Sequence, residues 1–86
     1  MIMGTNRIYT HDGREYHLQV EDLGVDASSF EVRVYDQGCV LWRKRVSYAG
    51  VLAQKLAKLE LEEALHALME KTLLTVEVAI AKGRLA

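Results

Sequence analysis

Glu63-Ala64-Leu65-His66 has the Glu-x-x-His spacing with which di-metal bundle proteins aim a carboxylate and an imidazole at one ion. Glu62 and Glu70 are near enough in sequence to join such a set. A site of that kind uses two Glu-x-x-His pairs and two further inward carboxylates, and this chain holds one pair. Dimer symmetry would add a second pair only if the ligands faced inward. A solvated helix face accounts for these residues, so no metal and no cofactor is expected.

His11, Asp12 and His17 form a second cluster. Asp12-Gly13 is explained as turn chemistry, and His17 belongs to the polar side of a strand, so no tetrahedral ligand set emerges. Cys39 stands beside a turn with no His or Asp next to it in sequence and reads as a half-buried strand residue. As the sole cysteine it excludes an intramolecular disulfide and fits a reducing compartment. Ser28, Ser29 and Ser47 have no Gly-x-Ser-x-Gly setting, and no phosphate-cradling glycine loop is present. A non-catalytic protein is the expectation.

Arginines interleaved with tyrosines make the third constellation. Arg7, Tyr9, Arg33, Tyr35, Arg43 and Arg45, with His17 and Leu41, are expected on the outer face of a sheet, where rings stack splayed bases and guanidinium groups hold phosphates. Glu15, Glu21 and Glu31 are expected on that same face. Net charge is −1, and neither half is a basic block: six Lys/Arg and seven Asp/Glu precede Ala49, with five of each after it. An amphipathic sheet with cross-strand ion pairs is favoured over a nucleic-acid surface.

The elements that position these residues follow from two periodicities. Tyr16, Leu18 and Val20 alternate with Glu15, His17, Gln19 and Glu21, as in a strand with one dry and one wet face. Arg7 to Thr10 pairs with it across a three-residue turn, His11-Asp12-Gly13, closed by a bulge. Phe30 to Tyr35 and Cys39 to Val46 form a second hairpin across Asp36-Gln37-Gly38, pairing Tyr35 with Cys39, Val32 with Trp42 and Glu31 with Arg43. That register gathers Phe30, Val32, Val34, Val40 and Trp42 on one face. Asp22 to Ser29 is a polar connecting loop.

Ser47 to Gly83 then reads as one long helix, capped by Ser47 and stopped by Gly83. Residues 72–80 are rich in β-branched side chains, and a fifth strand is the competing reading. The apolar spacing 65/68/72/76/79/80 favours the helix. A shift of the apolar stripe near Glu60 permits a kink or a break there. Unbroken, the helix would be about 50 Å long, in a domain whose radius of gyration should be about 12 Å.

The fold expected is therefore α+β: one domain, 1–86, with a four-stranded antiparallel meander over 5–46 and a long C-terminal helix over 47–83. Tyr16, Leu18, Val20, Phe30, Val32, Val34 and Trp42 should form the sheet side of the core, and Leu52, Leu56, Leu65, Leu68, Val76 and Ile80 the helix side. The helix carries more apolar surface than such a sheet can cover, so a homodimer is expected, through Leu52, Leu56, Leu65, Leu68, Val76 and Ile80. With no signal-like start and no uncharged run of membrane-spanning length, a cytoplasmic protein is expected. Its partners would be a second copy and an unidentified protein, with single-stranded nucleic acid on the outer sheet face as the alternative.

The order of elements, with Phe30-Glu31-Val32-Arg33-Val34-Tyr35, a glycine turn, a basic strand and then a helix, resembles Whirly and PUR-type single-stranded nucleic-acid binders. The resemblance implies paired protomers that exchange helices or pack them against the sheets. It is one of element order and assigns no residue a role.

Overall fold

The computed structural model describes residues 4–85. Four strands, β1 (Thr5–His11), β2 (Arg14–Asp22), β3 (Ser29–Asp36) and β4 (Cys39–Ser47), form an antiparallel sheet in the order β1-β2-β3-β4. A one-turn helix, α1 (Ala49–Leu52), and a long helix, α2 (Lys58–Ala81), follow. The expected meander and C-terminal helix are both present, and residues 72–80 are helical.

Both hairpin turns are one residue shorter than expected. His11 pairs with Arg14 and Asp36 with Cys39, leaving the two-residue loops Asp12-Gly13 and Gln37-Gly38. All four loop residues have positive φ (51° and 74°, then 53° and 82°), as the type I′ turn requires. Side chains alternate along a strand, so a one-residue slip moves every residue of the partner strand to the opposite face. In β1 that slip is uncorrected: Arg7 lies opposite Leu18 and Tyr9 opposite Tyr16, both on the core side. In β4 a bulge restores the phase. Tyr35 pairs with Val40 and Val34 with Trp42, so Leu41 is the extra residue. Trp42 thus faces the core as expected, while Val40 is on the outer face and 51% exposed.

The C-terminal segment is two helices. The chain leaves α1 through Lys55, whose φ is +54°, and enters α2 from an extended Ala57. The break falls over 53–57, a few residues before Glu60. Ser47 Oγ accepts a hydrogen bond from the Ala49 N–H at 3.2 Å, at the entry to α1. The far end of α2 closes with paired bonds from Gly83 N–H to the Ile80 carbonyl and from Arg84 N–H to the Ala79 carbonyl, at 3.0 and 2.8 Å.

The core lies between the sheet and one stripe of α2. Leu18, Val20, Phe30, Val32 and Val34 meet Leu65, Met69, Leu73, Val76 and Ile80, and Tyr48 closes the open end. Tyr16, Trp42, Leu52 and Leu68 are partly buried at its margins. The helical stripe therefore runs 65/69/73/76/80, with Met69 and Leu73 in place of the expected Leu68 and Thr72. The molecule measures 43 × 19 × 18 Å with a radius of gyration of 13.7 Å, longer than a compact domain of this length because the axis of α2 sets it.

Candidate functional site

The outer sheet face keeps four of the six residues expected there. Arg33 and Tyr35 on β3 and Arg43 and Arg45 on β4 share it with His17, Gln19, Glu21 and Glu31. Arg7 and Tyr9 are absent from it, because the two-residue turn turns them inward. Arg7 donates to Glu70 and, at 3.4 Å, to Glu77, both on α2. Its pKa is raised, first by the hydrogen bond to Glu70, with further help from the Glu70 and Glu77 charges that outweighs partial burial. Tyr9 packs at the edge of the core and stacks on His11, with ring centroids 6.4 Å apart.

Charge on the outer face is unevenly balanced. Arg33 Nε donates to Glu31 at 2.6 Å and Arg33 Nη2 to Glu21 at 2.9 Å. That network raises the Arg33 pKa, chiefly through Glu31. Glu31 lies directly across from Arg45 yet bonds to Arg33 on its own strand. Arg43, Lys44 and Arg45 are all exposed and make no ion pair among the described residues. Strand β4 contains no acidic residue, so its whole positive charge is uncompensated within the strand.

The metal-type clusters do not assemble into ligand sets. Glu63, His66 and Glu70 are exposed on α2, and Glu62 is half-buried. His11 Nε2 approaches Asp12 and His17 Nε2 approaches Glu15, each at 3.3 Å, as separate local pairs. Among the described residues no three His, Cys, Asp or Glu side chains converge on a position fit for an ion. Cys39 is exposed at the turn, where half-burial was expected.

The second surface is the back of α2, which the sequence reading did not single out. Ala64, Ala67, Lys71, Leu74, Val78 and Ala81 recur in alternating three- and four-residue steps, the 3.5-residue period of a helix-pairing seam. They lie on the side of the helix away from the 65/69/73/76/80 stripe. Leu74 and Val78 are each 51% exposed, and with Ala67, Glu70, Lys71 and Thr75 they line a shallow, mostly apolar depression. Of the six residues expected both on the helix side of the core and at a dimer contact, Leu65, Val76 and Ile80 are enclosed in the core of the chain itself. Leu52, Leu56 and Leu68 remain half-buried. The signal for the seam was present as the 64/67/71/74/78/81 spacing, but a helix apolar on nearly every side offers several such stripes.

No helix among the described residues is long and apolar enough to cross a membrane. No protein-family model, curated protein or solved structure matches the chain.

Proposed function

We propose that this protein is a small, non-catalytic, homodimeric interaction module that binds another protein. The observation that carries the reading is the seam on the back of α2. Exposed Ala67, Leu74, Val78 and Ala81, at a 3.5-residue period that also includes Lys71, are what a second helix of the same kind covers, and a two-fold pairing is self-complementary by construction. Leu74 and Val78 are each about half exposed, so covering them would add about 1–1.5 kcal/mol per side chain, against the roughly 5–15 kcal/mol that stabilises a domain. The core stripe cannot serve, because the sheet already occupies it. The separate local pairs of His11 with Asp12 and of His17 with Glu15 support the non-catalytic part. Light scattering over a dilution series of the native protein tests the dimer: a mass near twice 9.7 kDa supports it, and a single-copy mass at every concentration removes it.

The second reading, single-stranded nucleic-acid binding, has one observation in its favour. Arg43, Lys44 and Arg45 make no ion pair among the described residues, with Tyr35 on the same face as the two arginines. Three carboxylates share that face, and its remaining arginine is neutralised by two of them. Fluorescence anisotropy with labelled oligothymidylate at two salt concentrations separates the readings, since phosphate binding must weaken as salt rises.

A further inference from the structure

We propose that the free edge of β4 is the acceptor for an extended, acid-rich segment of a partner protein, which joins the sheet as a fifth strand. The proposal rests on the reading of this protein as a protein-binding module and names the chemistry of its partner.

The sheet order leaves two outer strands, β1 and β4. An outer strand presents alternate backbone N–H and C=O groups with nothing to bond to, and an extended peptide can satisfy them. The two edges differ in charge. On β1 the one basic side chain, Arg7, is bound to Glu70 and Glu77 of α2. On β4 three consecutive basic side chains stand exposed, and the nearest carboxylate across the ladder, Glu31, is held by Arg33. Lysine and arginine on an edge also discourage pairing between like edges, which is their commonest use. That same repulsion is relieved by a strand of opposite charge, so the edge rejects its own kind and admits an acidic one.

The bulge at Leu41 divides the strand. Beyond it the register to β3 runs unbroken from Trp42 to Ser47, long enough for about six residues of an added strand. Arg43 and Arg45 point to the outer face, and Lys44 to the other. Acidic residues at alternate positions of the added strand would therefore meet the two arginines. A nucleic acid is the weaker fit: the positive charge is confined to one edge strand, and the sheet face beside it carries Glu21 and Glu31.

Anisotropy of a labelled peptide alternating glutamate with valine tests this on the full native chain. It should bind, and its N-methylated analogue, which keeps the charge but blocks every second backbone donor, should bind at least about tenfold more weakly. The R43E/R45E protein, with an unchanged circular-dichroism spectrum, should show a similar loss, and the lysine-for-glutamate peptide should not bind. Equal binding of the N-methylated peptide, no binding at all, or stronger competing binding of oligothymidylate would each overturn strand addition. Light scattering on the same samples separates the two readings. A dimer indifferent to the peptide sinks the edge proposal alone, while a peptide-binding monomer upholds it and sinks the homodimer.

Discussion

The Tyr48 hydroxyl donates a hydrogen bond to Asp22 Oδ1 at 2.7 Å, joining the entry to α1 to the end of β2. The same carboxylate oxygen accepts from the Gly24 N–H at 3.0 Å, and the Tyr48 N–H reaches the Ser28 carbonyl at 2.8 Å. Tyr48 is 1% exposed, its ring lying 6.3 Å from that of Phe30. One side chain thus fastens the β2–β3 loop and the helical segment to the open end of the core.

Burial, then the hydrogen bond to Asp22 and its charge, push the Tyr48 pKa from 10.0 up to about 12. The folded state holds the proton more tightly than the unfolded one, so the contribution is full below about pH 10. It is lost as pH rises from there to about 12. A shift of that size corresponds to about 2–3 kcal/mol. Denaturant titrations across this range should show wild type losing stability more steeply than Tyr48→Phe. At neutral pH the variant should be about 1–2 kcal/mol less stable, from the lost bond to a charged acceptor. Parallel pH dependences for the two proteins would refute the assignment.

Leu73 and Leu74 are neighbours with opposite surroundings, 0% and 51% exposed. Leu73→Ala should cost about 2–5 kcal/mol by opening a core cavity. Leu74→Ala should change the stability of the single chain by less than about 0.5 kcal/mol. Thermal denaturation of both variants at a concentration where wild type is monomeric makes the comparison.

The turn at Gln37-Gly38 uses positive φ at both residues, and glutamine is poorly suited to the first position. Gln37→Asn should raise stability by a few tenths to about 1 kcal/mol, while Gly38→Ala should lower it by about 1 kcal/mol or more. In a three-residue turn Gln37 would lie at negative φ and Gln37→Asn would bring no gain, so the melting temperature of that variant checks the register.

Arg7 bridges β1 to α2 through Glu70 and Glu77, with its side chain 27% exposed and that of Glu77 15%. A double-mutant cycle of Arg7→Met and Glu77→Gln should give a coupling of about 0.5–1 kcal/mol that shrinks at high salt. A coupling of zero would remove Glu77 from the bridge and leave Glu70 as the partner of Arg7 on α2.

Element type and order could be read from residue pattern, and side-chain direction in part. Alternation in 15–21 and 30–35 set the strands, and both Asx/Gln-Gly turns were correctly located. The length of those turns was not legible, because His11-Asp12-Gly13 and Asp12-Gly13 both supply a glycine at positive φ. That single residue decided whether Arg7 and Tyr9 faced solvent or the helix. In β4 two errors of phase, the shorter turn and the bulge at Leu41, cancelled for Trp42, Arg43 and Arg45 but not for Val40. In α2, apolar residues on nearly every side left the phase ambiguous, so Leu68 and Thr72 stood where Met69 and Leu73 are buried. The free charge on β4 depended on Glu31 choosing Arg33 over Arg45, which pattern alone does not fix.

The central claim is that the back of α2 pairs with a second copy of itself. Sedimentation equilibrium of wild type beside Leu74→Glu and Val78→Glu tests it most directly, with circular dichroism to verify folding. The account predicts a wild-type dimer and folded, monomeric variants. A single-copy wild type at the highest concentration, or variants that dimerise as well as wild type, would contradict it.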